Sequence, residues 1–172
     1  MNTIAGLVLR AEDTGDADAI HLVVQAAFRE AAHRGGSEQH IVDALRRDGR
    51  LSLSLVAEFG GEIIGHLAAS PVTIDGHDLG WHGLGPLSVR PDWQRRGIGQ
   101  RLVTEALARL RAEGGAGCVV LGEPGYYGRF GFHAGPALHL PGMPAEYFQS
   151  LPFDTATPEG EVAFAPAFAA TA

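Results

Sequence analysis

Between Trp81 and Leu121 the chain changes its hydrophobic period twice, and this double switch limits the folds open to it. Trp81 to Val89 reads as a strand, Pro91 interrupts it, and Ile98, Leu102, Ala106 and Leu110 then recur at the spacing of one helical face. A glycine loop, Gln94-Arg95-Arg96-Gly97-Ile98-Gly99-Gln100, joins the two. Gly114, Gly115 and Gly117 close the helix before the short apolar run Cys118-Val119-Val120-Leu121. Strand, helix and strand in this order form a crossover, which belongs to a layer of helices on a sheet.

The flanking sequence extends that layer. Leu7 to Leu9 predicts a first strand, and Asp13-Thr-Gly-Asp16 can cap a helix running from Asp16 to about His33, with Ile20, Val23, Val24, Ala27 and Phe28 inward. Gly35-Gly36 ends it. Ser37 can cap a second helix with Ile41, Ala44 and Leu45 inward. Leu51, Leu53, Leu55, Ala57 and Phe59 alternate, and Gly60-Gly61 turns them into Glu62 to Ser70. Asp75-Gly76 predicts another hairpin leading into Trp81. Beyond Glu123, glycine and proline break the pattern, so a short helix and irregular strands are expected, with Val162 and Phe164 in a closing strand. Phe148, Leu151 and Phe153 leave two uses open, packing on the core or a homodimer contact. With 172 residues, 45% of them hydrophobic, and no repeat or linker, the expectation is a single domain over 1–172. Its class is mixed α/β (α+β), a partly antiparallel sheet flanked by helices.

Charge and composition exclude several chemistries. Thirteen basic residues against 20 acidic ones give a formal charge of -7, which argues against binding nucleic acid. All thirteen are arginine, so neither a P-loop lysine nor a lysine Schiff base is available. One cysteine, Cys118, allows no internal disulfide and no thiolate metal cluster, and fits a reducing compartment. The first residues lack a signal-peptide pattern, and no run approaches the roughly 18 apolar residues a membrane span needs. A cytoplasmic protein without membrane contact is expected. The histidines show no His-x-x-x-His spacing, so no metal is expected.

The glycine loop carries the sharpest chemistry. A helix start has unpaired amides and the positive end of the helix dipole, and Gly97 and Gly99 would let an anion approach them closely. From Arg90 to Glu113 there are six arginines and three acids, a positive stretch inside an acidic chain. A pyrophosphate suits that reversal; the alternative is a tight loop whose arginines are solvated. A Rossmann turn would need a third glycine where Leu102 stands, and a Walker loop would need the missing lysine.

The spacing Val89-x-x-x-x-Gln94-x-x-Gly97-x-Gly99 resembles the acyl-coenzyme A signature of the GNAT superfamily of N-acetyltransferases. Tyr127-Gly-Arg-Phe-Gly131-Phe132 keeps that family's interval between a tyrosine and a terminal Gly-Phe. The run Gly122 to Phe132, with Gly85-Pro-Leu-Ser-Val89 upstream, is similar to a bacterial branch of predicted acetyltransferases, and the similarity spans Leu7 to Phe168. The resemblance implies that the strands ending at Val89 and Leu121 splay apart to admit pantetheine. Gly83, Gly85 and Pro86 suit a bulge or kink there. It further implies that Leu87, Ser88 and Val89 offer main-chain groups to the acyl arm, while Gln94, Arg95, Arg96, Gly97, Ile98, Gly99 and Gln100 surround the pyrophosphate of acetyl-CoA.

By the same resemblance Tyr127 is the candidate acid that protonates the departing thiolate. Glu123, at the end of the second strand, is the candidate base for the amine, or else only a helix-start carboxylate; His82 is a second candidate. Many relatives carry an asparagine before the short helix, whereas Asn2 is the only asparagine here. The resemblance implies a primary amine as acceptor, on a small molecule or a protein; the six acids after Ala112 would favour a cationic one where they frame the acceptor mouth, the alternative being a solvated acidic face. A non-catalytic acyl-CoA sensor is the other reading of the same motif.

Overall fold

The structure, a computed structural model, describes residues 4–29 and 36–170. The end of the first helix near His33, and Gly35, lie outside the described residues. Leu7–Ala11 (β1) pairs antiparallel with Leu53–Phe59 (β2), which turns back through Gly60-Gly61 into Glu62–Pro71 (β3). Both turn glycines have positive φ, 59° and 82°, the twist that closes a two-residue hairpin. Thr73–Ile74 (β4) leaves the sheet before Trp81–Val89 (β5) returns antiparallel to β3. Gly117–Leu121 (β6) then runs parallel to β5. Leu138–His139 (β7), Phe148–Pro152 (β8) and Gly160–Ala163 (β9) follow. The main sheet has the order β1-β2-β3-β5-β6-β8, antiparallel except at β5 and β6, and β4-β9-β7 form a smaller sheet.

Among the described residues four α-helices accompany the sheets: Ala17–Arg29 (α1), Glu38–Arg47 (α2), Ile98–Ala112 (α3) and Pro124–Tyr127 (α4). The stripe Ile98, Leu102, Ala106, Leu110 is buried against Leu55, Leu67, Leu84, Cys118 and Val120 on one face of the main sheet. Each leucine so covered contributes roughly 1.5–3 kcal/mol relative to exposure. The other face carries Val56, packed under Ile20 and Val24 of α1. None of the described helices is long and apolar enough to cross a membrane.

The expected turn at Asp75-Gly76 forms, but β4 does not pair with β5. It pairs with β9, Thr73 opposite Ala163 and Ile74 opposite Val162, because Val72 and Ile74 join Trp81, Phe148 and Val162 in a second core. The closing strand contains Val162 but stops before Phe164, whose ring lies over Gly83. Phe148, Leu151 and Phe153 pack within the chain: β8 is the edge of the main sheet, with Phe148 in the second core and Leu151 and Phe153 against the first.

The feature that creates a site is the parting of β5 and β6. Their ladder covers only Trp81, His82 and Gly83 opposite Gly117, Cys118 and Val119. On the β3 side, Leu84 faces Ala69 and Leu87 faces Leu67, so Gly85 and Pro86 together oppose Ala68 as a bulge. Beyond it, β5 keeps β3 and, among the described residues, has no strand along its other edge.

Candidate active site

A cavity of about 450 Å³ opens where β5 meets the start of α3. Of the residues singled out in the sequence, Leu87, Val89, Gln94, Arg95, Gly97, Ile98, Gly99 and Gln100 line it. Gly97 caps α3 in the left-handed region at φ 82°, and the helical ladder begins with the Arg101 amide donating to the Gly97 carbonyl, 3.1 Å. The amides of Ile98, Gly99 and Gln100 therefore have no partner within the helix. Arg95 is also left-handed, at φ 65°, a conformation that costs a non-glycine residue about 1–3 kcal/mol and collects at functional sites. The Gln94 side chain donates to the Val89 carbonyl at 2.9 Å and ties the loop to the end of β5.

Two of the expected coenzyme-binding residues do not line this cavity. Arg96 stacks on Trp93, 4.8 Å from the ring centre, and donates to the Asp92 carbonyl, bracing the loop. Ser88 points its side chain to the α1 face, where it is buried. Conversely, Trp93, Tyr126 and Arg129 belong to the wall. The Tyr126 hydroxyl lies 3.0 Å from where a Cβ on Gly99 would sit, and the Arg129 guanidinium rests 4.8 Å over the Tyr126 ring. That stack is an i, i+3 pair across a short helical turn, a spacing readable in the sequence.

Tyr127 does not line the cavity either. It stands against the end of β6, with Cε2 2.6 Å from where a Gly122 Cβ would be, edge-on to Tyr126 at 5.0 Å and to Phe132 at 5.9 Å. Burial pushes its phenol above the ordinary range. Glu123 is exposed just before α4; its carbonyl accepts the Tyr126 and Tyr127 amides, and its carboxylate makes no cap bond. His82 lies in the paired half of β5 and bonds the Ser52 hydroxyl at 2.9 Å, away from the parting strands. A second-candidate base at His82 is thus not supported by its position.

A parallel strand pair that opens beside a glycine-capped helix is the geometry that the resemblance implied. A family model described as the Acetyltransferase (GNAT) family matches residues 17–132. The chain belongs to this family. It is 39% identical over 127 residues, 73% of each chain, to a protein described as the uncharacterized N-acetyltransferase YhbS of Escherichia coli K12. The crystal structure of E. coli YhbS in complex with CoA covers 98% of this chain and 94% of its own at 34% identity, TM-score 0.85. A GNAT family acetyltransferase from Brucella melitensis, solved in complex with acetyl-CoA, is 48% identical, with 94% and 97% coverage and TM-score 0.85.

This GNAT sheet also carries a polar chain on its α1 face, half-buried at Glu12, Arg46 and Ser54 and fully buried at His66. Arg46 donates to both oxygens of Glu12, at 2.7 and 2.9 Å, and holds that carboxyl below its ordinary range. Ser54 Oγ donates to Glu12 at 2.8 Å and lies 2.8 Å from His66 Nε2. His66 is fully buried, and burial pushes its imidazole down to about 4. The unfolded chain takes up this proton below about pH 6.5, whereas the native chain refuses it until about 4. The unfolded state thus binds more protons within that window, and stability falls on acidification, by about 3 kcal/mol across it. Urea unfolding at steps from pH 7 to 4 checks this: the midpoint should drop, and less so in His66→Gln. Equal slopes in both proteins would contradict a neutral buried imidazole.

Proposed function

We propose that this GNAT chain moves an acetyl group from acetyl-CoA to a primary amine by direct attack within a ternary complex, with 1–172 acting as one catalytic domain. The observation that carries the reading is the cavity at the parting of β5 and β6, lined by Leu87, Val89 and the loop from Gln94 to Gln100. The first-turn amides of α3 and Arg95 suit the pyrophosphate, and the edge of β5 left without a strand among the described residues suits pantetheine. Arg129 adds a second positive group on the opposite wall. The relatives solved with acetyl-CoA and with CoA support the same cosubstrate here.

The chemistry follows from the two strands. The amine lone pair attacks the thioester carbon, and an amide of Leu87 to Val89 faces the developing oxyanion. The carbon–sulfur bond then breaks, and Tyr127 gives its phenolic proton to the sulfur. Burial keeps Tyr127 protonated at any working pH, so the donor is always loaded; the transfer needs a sulfur held close, because a raised phenol is a reluctant acid. Glu123, exposed at the start of α4, draws a cationic amine and takes its first proton. The exposed acids Glu123 and Glu146 favour a positively charged acceptor, a small-molecule amine or a protein amino group. The lone Cys118, buried, with its thiol pushed up to about 12, stays inert and fits a reducing cytoplasm.

Calorimetry with CoA and thiol release from acetyl-CoA across a panel of amines test this reading. Saturable binding with amine-dependent release is expected. Binding without release on any amine would instead favour a sensor, and absence of binding would defeat both.

A further inference from the structure

We infer that His21, His40 and Asp43 form a site for one divalent transition-metal ion, zinc by the chemistry of the donors, which clasps α1 to α2. One ligand atom from each of these side chains can be taken so that all three lie within 4.8 Å of one another. His21 Nδ1 is 2.7 Å from Asp43 Oδ2, and the His21 and His40 rings meet edge to face with centres 5.5 Å apart. The sequence pointed to no metal because it holds no His-x-x-x-His spacing. Here the donors come from two helices, and only His40 and Asp43 share one, at the i, i+3 spacing that puts both on one face.

The core between the helices sets the geometry. Ile20 and Val24 of α1 share a buried cluster with Val42 of α2 and Val56 of β2. His21 follows Ile20 and Asp43 follows Val42, so both donors stand at the rim of that contact, half-buried and within reach of ions from solvent. The carboxylate is already oriented. Its Oδ1 accepts from Arg46 Nη1 at 3.4 Å, and Arg46 is itself held by both oxygens of Glu12, which balances its charge. Hydrogen-bonded outer partners of this kind fix a ligating carboxylate and tune its ion. His40 Nε2 meets the Gln39 amide at 3.5 Å, longer than an ordinary hydrogen bond and weaker than a metal bond.

Two imidazoles and one carboxylate select the ion. Magnesium and calcium prefer sites made of oxygen, whereas imidazole nitrogen suits zinc and its neighbours. Zinc takes nitrogen at about 2.0–2.1 Å and carboxylate oxygen at about 2.0–2.2 Å, so three donors around one ion stand roughly 3.4 Å apart. Closing to that spacing is within the reach of half-buried side chains turning about their own bonds. An ion there takes the place of the bond between His21 and Asp43, and its fourth position is left to water. None of the three residues lines the coenzyme cavity, so the site is a clasp between helices and stands outside the acetyl-transfer chemistry.

Calorimetric titration of zinc chloride into the metal-free 172-residue chain, with magnesium in excess, tests the site. Saturation at one zinc per chain is expected, with affinity about 100-fold lower or worse in His40→Gln and in Asp43→Asn. At zinc about 100 times above its Kd, the melting temperature should rise by roughly 5–10 °C in the parent and stay put in both variants. The histidine ring resonances of the parent give a reading that needs no variant: zinc should shift His21 and His40 and leave His66 and His82 in place. Absence of saturable binding, undiminished binding in both variants, or shifts confined to other histidines would each overturn the clasp. The clasp rests on no part of the acetyltransferase reading: a chain that binds zinc but no CoA keeps the first and loses the second, and a chain that binds CoA but no zinc does the reverse.

Discussion

Gly99→Glu is expected to abolish CoA binding while the helix it sits in stays folded. Gly99 lies in the first turn of α3, and a Cβ there would come within 3.0 Å of the Tyr126 hydroxyl, 3.7 Å of Leu87 and 3.8 Å of Val89. Its φ is not in the left-handed region, so the backbone accepts a side chain and only the space and charge change. A carboxylate near a helix N-terminus is stabilising by about 0.3–1 kcal/mol, so melting should not suffer. The same carboxylate neutralises the field that draws the pyrophosphate and fills its approach. A loss of at least about 100-fold in affinity, about 3 kcal/mol, is expected by calorimetry. Gly99→Ala should cost far less, because the crowded atom is the end of a movable tyrosine side chain. Equal affinity in the glutamate variant would remove the loop from the site.

Tyr127→Phe should lower kcat by about 100-fold with little change in KM for acetyl-CoA. The ring contacts with Tyr126 and Phe132 and the seat against Gly122 all survive the substitution, so stability and binding have no cause to move. Only the proton for the thiolate is lost. Tyr126→Phe is the necessary control, since Tyr126 lines the cavity and Tyr127 does not. It should weaken CoA binding slightly and spare kcat. Were the two variants to exchange these effects, the acid would be Tyr126, and the assignment by spacing to Gly131-Phe132 would fall.

Local pattern carried most of the fold. The hairpin at Gly60-Gly61, the stripe on α3 and the break after Val89 are each set by side chains within a few residues of one another, and all three appear where period and turn residues put them. The bulge at Gly85-Pro86 was legible as a weakness in a strand, because neither residue supports a continuous ladder. The family spacing took the loop as a unit and could not tell Arg95, which lines the cavity, from Arg96, which stacks on Trp93. Neighbouring side chains on a turn diverge according to backbone angles that no spacing encodes.

What the sequence determined by itself is the inventory of elements, the phosphate-suited helix start and the exclusion of lysine chemistry and internal disulfides, since each depends on residue identity or short-range periodicity. Tertiary structure alone decided that β4 pairs with β9, that β8 closes the edge of the main sheet, and that Tyr126 and Arg129 face Gly99. It also gathered Glu12, Arg46, Ser54, His66 and Ser88, drawn from positions up to 76 residues apart, onto one face of the main sheet. The reason is physical. A strand pair or a buried hydrogen-bond chain gains its stability from partners distant along the chain, and those partners are chosen by which faces the whole fold closes together.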